Sequence, residues 1–243
     1  MKVSDSRLVQ RNQIRQYLIL SLFPGIDLLG FAFELVGFCV VRGPDVIVGQ
    51  DIRDWHATKK VFDGIIGGAP CQEFSVAKNS FNDSKFGNLL PEFERAIREA
   101  QPYWYLAENV PKAPYPNIEG YHVTTYDLDA ADFGSWQMRH RRFAFGCRDD
   151  KKLDIKPFVA RRDDIIHCVT ATKYKGTAND SRRASRDFGR RMTLDEIKEA
   201  FGLDKSWDAT AFTVAEKYRA LGNGVPLHLG YAIADAIRRA LLL

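Results

Sequence analysis

Short apolar runs, each ending in a turn and separated by helical segments, recur along the first 146 of the 243 residues. No other feature restricts the fold as much. Tyr17–Phe23 stops at Pro24-Gly25, and Phe38–Val41 stops at Gly43-Pro44-Asp45. Val46–Val48 predicts a short third strand, and Phe62–Ile66 closes at Gly67-Gly68-Ala69-Pro70. Trp104–Leu106 runs into Glu108, and Tyr121–Tyr126 and Arg142–Gly146 predict two more strands. Between them, Leu28–Val36 and Leu90–Ala100 carry apolar residues at helical spacing. Strands that alternate with helices predict an α/β domain with a mostly parallel sheet, because parallel neighbours need a crossover between them.

After Cys147 this pattern breaks. Residues 148–190 are basic, rich in Asp, Ser and Thr, and carry no strong period. Thr193, with Glu196 three positions on, predicts a capped helix over Leu194–Phe201. Ala215–Leu221 and Leu227–Leu241 are helical again. The expected organisation is a large domain of 1–146 completed by a C-terminal helix in 215–243, with a small domain of 147–214. Residues 1–16 read as a polar extension and 71–88 as a long loop, a length more often functional than connective.

Charge is informative through its distribution. The whole chain carries a net charge of +4, but residues 151–191 hold 12 Lys/Arg against 5 Asp/Glu, a net +7, and leave −3 for the rest. A basic segment on a near-neutral body predicts a nucleic-acid partner. No apolar run approaches the ~18 residues of a membrane span, and the N-terminus lacks a signal-peptide core. The four cysteines, Cys39, Cys71, Cys147 and Cys168, form no Cys-x-x-Cys pair. That spacing excludes a common zinc knuckle and a disulfide framework and predicts a reduced, cytoplasmic chain without metal.

The residues that carry chemistry sit at strand ends, where open α/β sheets bind ligands. Phe23-Pro24-Gly25-Ile26-Asp27-Leu28 follows the first strand. A dinucleotide fingerprint would need bare backbone at position 27, and a carboxylate there disfavours a pyrophosphate. Pro70-Cys71-Gln72 follows a Gly-Gly turn, Glu108-Asn109-Val110 ends another strand, and Gln137-Met138-Arg139-His140-Arg141-Arg142 precedes one.

As a set, in this order, these blocks resemble those of DNA cytosine-5 methyltransferases of a compact bacterial or phage type. Ala130-Ala131-Asp132-Phe133-Gly134, Arg190-Arg191-Met192-Thr193-Leu194-Asp195-Glu196 and Gly222-Asn223-Gly224-Val225 resemble further blocks of the family. The resemblance implies a Rossmann-like S-adenosylmethionine-dependent fold with a target-recognition domain. It also implies a monomer acting on double-stranded DNA. Its chemistry is consistent with the residue types. A Cys71 thiolate adds to carbon 6 of a flipped-out cytosine and makes carbon 5 nucleophilic. A protonated Glu108 meets the charge developing at N3, and Arg141, with Arg139, holds the base. The cofactor would lie against Phe23, Pro24, Gly25, Ile26, Asp27 and Leu28. Asp45 would take its ribose, Asp51 and Ile52 its adenine, and Pro70 its methyl end, while Asn223 and Val225 would close the site. Gln72, Ser75, Gln137, Arg182, Arg183 and Arg190 would meet DNA. An RNA cytosine-5 methyltransferase of the tRNA-modifying type and an inactive DNA-binding relative are the alternatives. The chain departs from the family pattern at Asp27, at Gly224, at Ser135-Trp136, and in the short interval between Asp45 and Asp51.

Overall fold

The computed structural model describes residues 18–70, 87–161, 163–169, 192–210 and 212–241. Among them, six strands form one sheet: β1 (Leu18–Leu22), β2 (Cys39–Arg42), β3 (Gly64–Gly67), β4 (Trp104–Asn109), β5 (His122–Asp129) and β6 (His140–Cys147), in the order β2-β1-β3-β4-β6-β5. The pairs β1–β2, β1–β3 and β3–β4 are parallel and β4–β6 is antiparallel. The helices are α1 (Leu28–Leu35), α2 (Leu90–Ala100), α3 (Leu194–Ala200), α4 (Val214–Asn223) and α5 (Leu227–Ala240). No helix among the described residues is long and apolar enough to cross a membrane.

The chain divides into two compact units. One comprises residues 1–24, 33–126 and 142–152 and the other 25–32, 127–141 and 153–243, within the described residues. This division differs from the one expected of the sequence, because the C-terminal helices cluster with 25–32 and with the chain after 153. Their small residues explain the clustering. A Cβ on Gly230 would lie 2.9 Å from the Ala32 Cβ, and one on Gly224 3.0 Å from Leu28, so close helix packing depends on both glycines.

In the first unit the inner strands β1 and β3 are buried on both faces and read as short apolar runs, as parallel strands do, while the edge strand β2 is largely exposed. The β1 residues Ile19, Leu20, Ser21 and Leu22 are all at most 2% exposed. On one side α2 supplies Phe93, Ala96, Ile97 and Ala100, at the i, i+3, i+4, i+7 spacing of a single face, to a core with Leu20, Leu22, Ile65 and Tyr105. On Trp104 a second aromatic group assembles: Phe33 stacks on it at 5.9 Å and Phe38 meets it edge-on at 6.0 Å. Gly64 pairs with Trp104 across the β3–β4 ladder, and a Cβ there would lie 2.3 Å from the indole.

The second unit has its own core of Leu28, Ile166, Val169, Met192, Ile197, Phe201, Tyr218 and Leu221. Thr193 and Glu196 form the expected reciprocal cap on α3. Thr213 and Glu216 form a second one on α4, which therefore starts before the expected Ala215; the same Thr-x-x-Glu spacing announces it in the sequence.

One predicted strand is corrected. Val46–Val48 is a 3₁₀ turn with all three side chains exposed. The Asp45 carboxylate accepts from the Ile47 N–H at 2.9 Å, and left-handed Gly49 returns its N–H to the Val46 carbonyl. Those local bonds curl the chain just beyond β2, which lies at the edge of the sheet.

Candidate active site

Parallel pairing brings the carboxyl ends of β1 to β4 to one edge of the sheet in the first unit, and with them Phe23-Pro24, Asp45, Pro70 and Glu108. The β3–β4 register pairs Gly67 with Ala107, which sets Gly68 beside Glu108. A Cβ on Gly68 would lie 2.8 Å from Glu108 Oε2. The glycine is therefore what lets the half-buried carboxyl approach the chain leading to Pro70. Asn109 Nδ2 donates to the Ala69 carbonyl at 3.2 Å and ties the two strand ends together. Cys71, Gln72 and Ser75 lie outside the described residues, as do Arg182, Arg183 and Arg190.

Beside Glu108 is a cavity lined by Ala69, Ala107, Asn109, Ala113, Tyr115 and Arg142. The sequence reading missed Tyr115 and Arg142. Arg142 had a signal, since it follows the arginine block directly, and the antiparallel register sets it opposite Asn109.

On the side expected to take adenine, Ile52 is buried and Asp51 caps a 3₁₀ turn over Ile52–Asp54. The Arg53 guanidinium binds Asp51 at 2.5 and 2.9 Å, and its hydrogen bonds hold the carboxyl down at about 2. This segment hangs from α2. Arg95 Nη2 donates to the carbonyls of Ile52 and Trp55 at 2.7 and 2.9 Å. Glu99 accepts from the Ala57 N–H at 3.0 Å and from Arg95 Nη1 at 2.8 Å, and lies 2.9 Å from His56 Nδ1. Nothing in the sequence marks Arg95, because its partners are carbonyls about 40 residues away.

Burial pushes the Glu99 carboxyl up, but the bonds from Arg95, His56 and Ala57 outweigh it and bring the group to about 2 from an ordinary 4.5. The folded chain thus releases this proton more readily than the unfolded one. The contribution to stability is complete above pH 4.5 and is lost as pH falls toward 2. Urea midpoints of the native chain and Glu99→Gln should accordingly differ most near pH 6 and converge only as pH falls to about 2. Parallel midpoint curves across that range would refute the assignment.

The turn after β1 bends through three left-handed positions, Phe23, Gly25 and Asp27, with φ of 53°, 56° and 53°. In the second unit Asp27 is 4% exposed and its Oδ1 accepts from the Gly30 N–H at 3.1 Å. A carboxylate at the start of α1 complements the helix dipole. A negative charge at this position also disfavours a pyrophosphate, and with it a dinucleotide. A cofactor carrying a cationic sulfonium and an ammonium suits the chemistry of this carboxylate, and the half-buried Asp45 and Asp51 suit hydroxyl and amine groups. The donor set fits S-adenosylmethionine.

Two predicted site residues of the second unit are corrected. Gln137, expected at DNA, is fully buried: its Nε2 donates to the Ala200 carbonyl at 2.9 Å and its Oε1 accepts from the Val169 N–H at 3.1 Å. Arg139, expected to hold the base, is 1% exposed and donates to the carbonyls of Val169 and Gly222, each at 3.0 Å. Both side chains are taken up by hydrogen bonds to buried backbone groups. Arg141 is half-buried and donates to the His140 carbonyl at 2.8 Å. Asn223 is exposed at the end of α4 and Val225 is buried.

The family model of the C-5 cytosine-specific DNA methylases matches residues 44–173, more than half of the chain. Type II methyltransferase M.NgoPII of Neisseria gonorrhoeae is 24% identical over 92% of this chain and 96% of that protein. Type II methyltransferase M.FnuDI of Fusobacterium nucleatum is 32% identical over 56% of this chain, which spans about half (48%) of that protein. Among solved structures, the Entamoeba histolytica methyltransferase EhMeth superposes with a TM-score of 0.68 over 93% of this chain and 99% of that one, at 13% identity. At that identity the superposition shows a shared fold.

Proposed function

Because the chain belongs to the C-5 cytosine-specific DNA methylases, we propose that it methylates carbon 5 of a cytosine within a specific site in duplex DNA, through a covalent bond from Cys71 to carbon 6. The observation that carries this reading is the β3–β4 register, which seats Glu108 against Gly68, three residues before Cys71. A nucleophile and an acid that act on one pyrimidine ring must approach each other, and the seating of Glu108 on the chain that leads toward Cys71 supports that pairing. The family and its named relatives favour DNA over RNA.

S-adenosylmethionine supplies the methyl group as an activated sulfonium. Phe23, Pro24, Gly25, Ile26, Asp27 and Leu28 would hold its methionine end, Asp45 the ribose, Asp51 and Ile52 the adenine, and Pro70, Asn223 and Val225 would close around it. Around the base, the Cys71 thiolate supplies the electron pair that forms the bond to carbon 6. The Glu108 carboxyl supplies the proton or hydrogen bond at N3, and Arg141 steadies the ring. The proton on carbon 5 leaves to a base as the thiolate is expelled, which frees the cysteine, restores the aromatic ring as 5-methylcytosine and leaves the proton on that base.

Bisulfite sequencing of DNA from cells expressing the chain tests the proposal. Protected cytosines at one recurring sequence are expected. Full conversion throughout, or protection confined to RNA, would overturn it.

Specificity is assigned to 148–189. Base contacts specify where phosphate contacts only position, and this segment is the one basic stretch outside the strand–helix alternation. Exchanging it for the corresponding region of a relative should change the methylated sequence to that relative's and keep turnover within about tenfold. An unchanged sequence pattern would remove the assignment.

A further inference from the structure

We propose that Arg139 is a positioning residue that couples cofactor binding to DNA binding, by bridging the last turn of α4 at Gly222, next to Asn223, and Val169 within the recognition segment. The inference rests on the proposed roles of Asn223 and 148–189. Its geometry lies wholly within the second unit. One guanidinium nitrogen, Nη2, donates to the Gly222 carbonyl at 3.0 Å, next to Asn223. The other, Nη1, donates to the Val169 carbonyl at 3.0 Å and lies 3.4 Å from the Cys168 sulfur. The guanidinium sits over the Phe201 ring, 5.4 Å from its centroid.

The support at Val169 is doubled, because Gln137 accepts that residue's N–H while Arg139 takes its carbonyl. Gln137 also holds the Ala200 carbonyl, which Ser135 Oγ shares at 2.8 Å. Residues 135, 137 and 139 thus form one buried polar strip. Arg139 itself is placed by its own N–H on Asp129 Oδ1 at 2.7 Å.

An apolar side chain would fill this volume at less cost, since a buried cation gives up its hydration. What an apolar residue lacks is the planar fork, which holds two carbonyls from distant segments in one fixed geometry. A ligand that orders either carbonyl improves the site for the other, and by linkage the effect is reciprocal.

Binding of S-adenosylhomocysteine should be measured with and without the target duplex, using a probe that cannot react. In the native chain the duplex should tighten binding by about tenfold, within the usual range of coupling between sites. Arg139→Lys keeps charge and bulk but reaches one carbonyl only, and the ratio should fall to below about twofold. An uncoupled native chain, or an undiminished ratio in Arg139→Lys, would overturn the proposal.

Should the variant fail to fold, hydrogen exchange in the native chain decides. S-adenosylhomocysteine alone should slow exchange of the Val169 amide, and unchanged exchange there would sink the idea. Asn223→Ala separates the two layers of inference. Native affinity in that variant faults the cofactor assignment, and the coupling falls with it. Weakened affinity together with an undiminished ratio in Arg139→Lys faults the role of Arg139 alone.

Discussion

Duplex DNA carrying 5-fluorocytosine at the target position is expected to capture the chain in a complex that survives denaturing electrophoresis, and only when S-adenosylmethionine is present. A thiolate on carbon 6 is released when the proton on carbon 5 departs, and fluorine cannot depart in that way. Cys71→Ser should lose both the capture and turnover, the latter by about 10⁴-fold or more, the scale on which removal of an enzyme's nucleophile is measured. A serine hydroxyl with no assigned base is a far weaker nucleophile than a thiolate. The other cysteines provide the comparison. Cys147 is buried at the end of β6, where burial pushes its thiol up, and Cys39 lies on the edge strand. Serine at Cys39 should leave capture intact. Capture that persists in Cys71→Ser would mean that another residue is the nucleophile.

Glu108→Gln should lower kcat by roughly 10²- to 10⁴-fold, the usual range for a lost general acid, with DNA affinity changed only a few-fold. The amide keeps the size and one donor of the protonated carboxyl but has no proton to transfer. Geometry offers a second route to the same loss. A methyl group on Gly68 would lie 2.8 Å from Glu108 Oε2. Gly68→Ala must therefore displace the carboxyl while leaving its chemistry unchanged, and should reproduce part of the deficit in kcat. Native kcat in both variants would show that Glu108 does not act on the base. A loss confined to KM would show that it only binds.

Local signals reached the elements with little error. Leu90–Ala100 is helical over the expected residues, with its apolar face inward. Thr193 and Glu196 cap α3 because the reciprocal bonds span only three residues. Strand ends were legible for the same reason: Pro24-Gly25, Gly43-Pro44 and Gly67-Gly68 interrupt apolar runs, and a chain cannot continue a ladder through such turns. Where periodicity was too short to decide, as in Val46–Val48, a single capping carboxylate at Asp45 turned the segment into a 3₁₀ turn.

The sequence by itself determined that this chain builds a mostly parallel α/β sheet and which motifs stand at its strand ends, since both follow from contacts between near neighbours in the chain. Only the tertiary structure decided where long side chains point. Gln137 and Arg139 occupy signature positions that read as substrate contacts, yet both turn inward to backbone groups of Val169, Ala200 and Gly222. Arg95 is an unmarked helix residue, yet it carries the segment around Ile52. In each case the deciding partner is a carbonyl or N–H brought from 30 or more residues away. Backbone polar groups are the same in every residue, so no pattern of side chains announces them, and burial makes their satisfaction obligatory.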